Sequence, residues 1–302
     1  MVYNKYMNKS TLAKLLFLLA TVFFGMAYVF IREGVLHSNP YTFLFYRFLL
    51  ACIIMFLIFS KKIIRTSKES IKYGLIIGIP FAIAVTLLTI GLQTTIASKA
   101  GFLGGLYIIF VPLALRFIKR EKPLWHHLVA ISIAVLGAAI ISLRSDFSIA
   151  LGDILVILWA VFFAVYIVLV GKFTKDKDSI QITFIQFVVT LLLTGIIALL
   201  TNNLAMPHSY IVWQSLFFIV IFATIITYLI QNRFQRYVSE VTVGLIYTTE
   251  PIFAALSAFI ILNEKLTMRI VLGGGLIFLA LVISELPFNR LSRAHNNSHP
   301  IH

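Results

Sequence analysis

The chain has little charge, few acids and almost no cysteine. Of 302 residues only 12% are charged and 11 are Asp or Glu, while 60% are hydrophobic and the mean hydropathy is +0.99. This excludes a soluble globular domain, whose one core has no room for so much apolar surface, so the solvent of this chain is lipid. A single cysteine, Cys52, excludes an intrachain disulfide and a CxxC metal knuckle. No GxxxxGK[ST] loop occurs, so no nucleotide site is visible. His126 and His127 stand side by side without a partner of HExxH type. Paired carboxylates, or a nucleophile with a base in reach, are also missing. The chain therefore reads as no enzyme, with no metal and no cofactor.

What it does have is a series of long apolar runs. A hydrocarbon layer about 30 Å thick needs roughly 20 apolar residues per helix. Ten apolar stretches with at most one charged residue each approach that length, at about 12–31, 41–60, 73–92, 100–117, 124–143, 154–171, 180–200, 211–230, 241–262 and 270–287. The first follows basic residues, as a signal peptide does. It is too long for an h-region and no small-residue cleavage motif follows, so it counts as a span. The expectation is an all-α integral membrane protein of ten transmembrane helices.

Lysine and arginine set the orientation, because loops rich in either stay cytoplasmic. With the N-terminus inside, the inward segments hold most of the basic residues, and the outward loops hold only Arg32, Lys99, Arg144, Lys265 and Arg269. Both termini are then cytoplasmic in a multi-pass protein of the cytoplasmic (inner) membrane. The net charge of +14 comes from small clusters between spans rather than one basic stripe, which argues against a nucleic-acid partner. The tail within 288–302, ending RLSRAHNNSHPIH, is polar, aperiodic and expected to be disordered.

The two halves resemble each other. A shift of about 139 residues lays Thr21–Gly25 over Ala160–Ala164 and FLFYRF over ITFIQF, which sets Arg47 opposite Gln186. A slightly larger shift lays AGFLGGLYIIF over TVGLIYTTEPIF, with Gly101 over Gly244, Tyr107 over Glu250 and Glu121 over Glu264. Five spans per half is an odd number, so the second copy enters the membrane upside down. The expected organisation is a five-helix repeat over 12–143 and an inverted one over 152–287, an architecture that supports alternating access in secondary transporters.

These residues resemble a known family. GDILVILWAVFFAVYIVLVGKF (Gly152–Phe173) is similar to the sixth span of EamA-type members of the drug/metabolite transporter superfamily. EPIFAALSAFIILNEKLTMRIVLGGGLIFLALVI (Glu250–Ile283) is similar to their ninth and tenth spans. FFGMAYVFIRE, the arginine of FYRFLLA, and GFLGGLYIIFVPL followed by RFIKREKP extend the likeness to the first half. The resemblance implies a central cavity lined by spans one, three, four, six, eight and nine. Pro112 falls about five residues later in span four than Pro251 does in span nine, so the two kinks are expected to be asymmetric.

Glu250 is the acidic residue nearest the middle of any span, and a charge there must face the protein interior. Pro251 removes a backbone donor beside it and is expected to open the helix by about one turn. Tyr247 lies one helical turn away, and the repeat brings Tyr107 across the pseudo-twofold axis, so both hydroxyls are candidates to hold the carboxyl. Phe24, Tyr28, Trp159, Phe163, Tyr166 and Tyr228 fall in spans that the resemblance assigns to the cavity, where aromatic faces suit a cation. Arg47, alone as a basic residue inside a span, and Gln93 are candidate gate residues. Gln231 and Asn232, ending their span, read as wetted at the interface. Gly101, Gly105, Gly273, Gly274 and Gly275 read as close-packing surfaces.

The resulting expectation is a secondary transporter of a small amine-bearing metabolite, an amino acid or a quaternary amine, with protons as a candidate coupling ion and membrane lipid as a partner. Nucleosides, other neutral metabolites or drugs are the alternative cargo, and a channel or an intramembrane enzyme is the alternative class. Monomer and homodimer both stay open.

Overall fold

The computed structural model describes residues 9–118, 120, 125–142, 149–174, 177–238, 243, 246–247 and 249–285. Glu121, Gly244 and the polar tail lie outside them. Its regular elements are helices: α1 (Lys9–Leu36), α2 (Pro40–Ile63), α3 (Lys68–Gly91), α4 (Ala97–Gly104), α5 (Tyr107–Ile118), α6 (Trp125–Ser142), α7 (Leu151–Phe173), α8 (Ser179–Leu200), α9 (Tyr210–Val220), α10 (Thr227–Phe234), α11 (Glu250–Leu262) and α12 (Met268–Glu285). A π turn, Ile221–Ile226, joins α9 to α10 in one rod, and a 3-10 turn, Gln235–Tyr237, extends it.

Local chemistry sets several starts. The Asn39 side chain accepts from the Tyr41 amide, with Pro40 following in the first turn where its missing N–H costs nothing. Ser67 accepts from the Ser70 amide to begin α3, and Asp178 from the Ile180 amide to begin α8. At the end of α11, Asn263 takes the left-handed conformation (φ 52°) that closes a helix C-terminus.

Among the described residues six helices are long and apolar enough to cross a membrane: α1, α2, α3, α7, α8 and the α9–α10 rod. The α4–α5 pair, bent by 42°, makes a seventh if it counts as one span. The apolar parts of α6, α11 and α12 are shorter, at 10–17 residues. Each of the ten apolar stretches contains described helix, but span nine is interrupted: Val243, Ile246 and Tyr247 are helical, Thr249 is a turn, and α11 starts at Glu250. Pro251 thus occupies the first turn after the break.

Span four is broken too, between Gly104 and Tyr107, several residues before Pro112, which lies inside α5. Tyr107 opens α5 and Glu250 opens α11, 143 residues apart. The prolines are displaced, as the sequence indicated, yet the two later half-helices begin at residues that the repeat alignment superposes.

In the packing, α2 lies on α8, α6 on α12 and α4 on α11; α3 lies on α7 and α8; α1 contacts α9, α10 and α11; α5 lies on α7. Small residues fix the closest approaches. A Cβ on Gly101 would lie 2.3 Å from the Ala254 Cβ, and a Cβ on Gly137 or Gly273 would lie 2.6 Å from the other's carbonyl oxygen. Gly275 meets nothing within 4 Å, so the close-packing role expected of it is not taken up.

Candidate functional site

The helices enclose a small cavity of about 30 Å³, walled by Phe24, Ala27, Tyr28 and Ile31 of α1, Trp159 and Phe163 of α7, and Val85 and Leu88 of α3. Arg47 of α2, Ala223 of the π turn, Tyr228 of α10 and Glu250 complete it. Span two, through Arg47, takes a place on the wall that the resemblance gave to span four. Tyr107 of span four stands behind the wall, fully buried, with its ring 5.0 Å from Phe163.

The aromatic residues form one continuous box. Trp159 stacks on Phe163 at 5.3 Å, Phe24 meets Tyr228 at 5.5 Å and Phe163 edge-on at 6.2 Å, and Tyr28 meets Trp159 edge-on at 6.0 Å. Into it projects Glu250, 2% exposed. Tyr28 Oη donates to its Oε1 at 2.9 Å and Tyr107 Oη to its Oε2 at 2.5 Å. A buried carboxyl is tolerable only when its oxygens find donors, and each oxygen here has one. Gly104 makes the Tyr28 position possible: a Cβ there would lie 2.3 Å from the tyrosine oxygen.

Tyr247 is buried but does not hold Glu250; its hydroxyl donates to Gln231 Oε1. Gln231 and Asn232 are fully buried, not wetted, because they carry a polar network between α7, α8 and α10. Gln231 bonds Gln235, whose Nε2 donates to the Ile167 carbonyl at 3.1 Å. Asn232 accepts from Tyr166 Oη at 3.2 Å and donates to Thr183 Oγ1 at 2.8 Å and Gln186 Oε1 at 3.1 Å. Gln93 is exposed in the turn after α3, away from the cavity.

Arg47 is 3% exposed, and its Nε donates to Thr224 Oγ1 at 2.9 Å inside the π turn. π turns recur where a side chain must be offered out of helical register, and Thr224 is such a case.

Where the end of α1 meets the starts of α4 and α7 lies a charged cluster that the sequence reading missed. Asp153, fully buried, accepts from Lys99 Nζ at 2.5 Å and from Thr95 Oγ1. Arg32 Nη1 donates to the Thr95 carbonyl at 2.8 Å, and its Nε lies 3.9 Å from Glu264. Glu264 caps α4, accepting from the Ala97 amide at 2.9 Å, the Ser98 amide at 3.0 Å and Ser98 Oγ at 2.6 Å. Arg32, Lys99 and Glu264 look like loop or span-end charges in the sequence. Only the overlay of Glu121 on Glu264 drew attention to one of them.

Buried, paired charges and a carboxyl group in an aromatic cavity, within a bundle of membrane-length helices, define a polytopic membrane protein with an ionisable site in its interior. The EamA-like transporter family model matches the chain twice, over residues 11–143 and 150–286, and the chain belongs to that family, within the drug/metabolite transporter superfamily. Two proteins of Archaeoglobus fulgidus, each described as an uncharacterized transporter, are 27% and 25% identical over 89% of this chain and 84% and 94% of their own. A solved structure described only as a crystal structure of a protein superposes with a TM-score of 0.67, covering 93% of this chain and 99% of its own. At 16% identity it speaks for the fold alone. The protein is a multi-pass membrane transporter.

Proposed function

We propose that this transporter moves a small amine-bearing metabolite, an amino acid or a quaternary amine, across the cytoplasmic membrane by alternating access. Ten spans form two inverted halves, 12–143 and 152–287, with both termini cytoplasmic. Two facts support that architecture. The family model matches once in each half. Exchanging the halves also maps the helix contacts onto one another: α3 on α7 pairs with α9–α10 on α1, α5 on α7 pairs with α11 on α1, and α2 on α8, α4 on α11 and α6 on α12 map onto themselves.

The observation that carries the cargo reading is Glu250, a buried carboxyl on the wall of an internal cavity with aromatic rings about it. An ammonium gains both a charge partner and ring faces there. The same carboxyl is the candidate carrier of a coupling proton.

The test is transport in proteoliposomes. Wild-type protein is expected to exchange a labelled amine-bearing substrate and to accumulate it under an imposed pH gradient. Glu250→Gln is expected to lose gradient-driven accumulation while exchange remains measurable. Equal gradient dependence in the two proteins removes the coupling role, and failure of every amine-bearing compound to exchange removes the cargo reading.

A further inference from the structure

We infer that Arg47 is the anion anchor of the same cavity, so that the cargo is a zwitterion carrying a carboxylate as well as an ammonium group. This rests on the reading of Glu250 as the ammonium partner and narrows it.

A guanidinium has five N–H donors in a planar fork suited to a carboxylate. Arg47 uses one of them, from Nε to Thr224. Its second partner is the hydroxyl of Tyr228, on the same cavity wall, so donors of the fork remain beyond these two contacts. Arg47 itself forms part of the wall of the cavity. The Phe48 ring lies 5.2 Å from the guanidinium carbon and supports it on one side without satisfying an N–H.

Among the described residues no carboxylate pairs with this charge; ion pairs there include Arg32 with Glu264, Lys62 with Asp178, Lys99 with Asp153 and Lys177 with Glu69. Glu250, the acid on the same wall, is taken by two tyrosines. One cavity thus holds a cation and an anion that do not meet, each buried and each oriented by its own hydroxyl partners. A buried charge left so is costly, and a ligand of the opposite charge offsets that cost.

The levels of the two groups agree with a bridging ligand. Arg32 near the end of α1 and Glu264 after α11 sit together, so the start of α2 and the end of α11 are at one end of the molecule. At a rise of 1.5 Å per residue, Arg47 lies about 10 Å below that end along α2, and Glu250 about 18 Å below it along α11. A compound whose ammonium bonds Glu250 presents its carboxylate upward, towards the guanidinium.

Ligand pairs that differ only in the carboxylate test this on the purified full-length protein. Thermal-shift titrations use leucine against leucinamide, phenylalanine against phenethylamine, and glycine betaine against choline, since a ligand of the folded state raises its apparent stability. At least one zwitterion is expected to bind ten-fold or more tightly than its carboxylate-free partner. In Arg47→Gln that preference is expected to fall to within about three-fold while the amine-only ligand binds as before. If carboxylate-free amines bind wild type as tightly as the zwitterions, the inference is overturned and the amine reading stands. If no ammonium-bearing compound binds, both fall. The wild-type comparison decides the matter even if Arg47→Gln does not fold, and Arg47→Lys, which keeps the charge but not the fork, is expected to lose part of the preference.

Discussion

Glu250 stays buried because two tyrosines from different helices reach it, and the two contacts have different tolerances. Tyr107 approaches at 2.5 Å from the start of α5, and Tyr28 at 2.9 Å over the notch left by Gly104. Tyr107→Phe removes a donor from a buried carboxylate, worth about 1.5–3 kcal/mol, and is expected to lower substrate affinity on the order of tenfold. Tyr247→Phe, in the same aromatic box, instead strands Gln231. It is expected to lower thermal stability in detergent while leaving affinity within about three-fold. Gly104→Ala forces the Tyr28 hydroxyl aside and is expected to resemble Tyr107→Phe, with ligand titration separating all three from a general folding defect.

The half-helices account for what the sequence revealed and what it concealed. The apolar runs announced the helices, and the overlay of Tyr107 on Glu250 named two residues that touch. Residue type and spacing could not say which hydroxyls find the carboxylate, because that depends on how α1 crosses α11. Tyr247, one turn from Glu250 in sequence, points elsewhere, and Tyr28, 222 residues away, takes its place. The burial of Gln231 and Asn232 was hidden for the same reason, since a polar pair at a span end looks alike whether water or Thr183 and Gln186 receive it.

The helix starts carry their own predictions. Pro251 stands in a first turn, so Pro251→Ala regains no hydrogen bond and is expected to shift the melting temperature by no more than about 2–3 °C. A proline in a helix interior would show a far larger effect. Asp153 opens α7 and fastens α4 to it through Lys99. Asp153→Asn leaves that ammonium without its charge partner and is expected to destabilise the protein by about 3 kcal/mol, read as a fall in melting temperature.

Taken together, Arg32, Thr95, Lys99, Asp153 and Glu264 draw α1, α4, α7 and the α11–α12 connection together at one end of the cavity. On the alternating-access proposal, opening that end requires Glu264 to leave the α4 amides. The chain's one thiol, Cys52, is buried, so a Cys52→Ala protein carrying Ala27→Cys on the cavity wall reports access cleanly. Glu264→Gln is expected to speed modification by a membrane-impermeant thiol reagent several-fold from that side. An unchanged rate would show that the cluster does not govern closure.

Far from the cavity, Gly137 and Gly273 meet backbone to backbone, with the Ile277 side chain of α12 over Gly137 and the Ile141 side chain of α6 over Gly273. Two rods seated this way can be neither pressed closer nor slid past each other without moving those isoleucines. That crossing has the geometry of a clasp. A methyl group added at either glycine would act as a wedge, prising the rods apart where the rest of the bundle needs them to bear on each other.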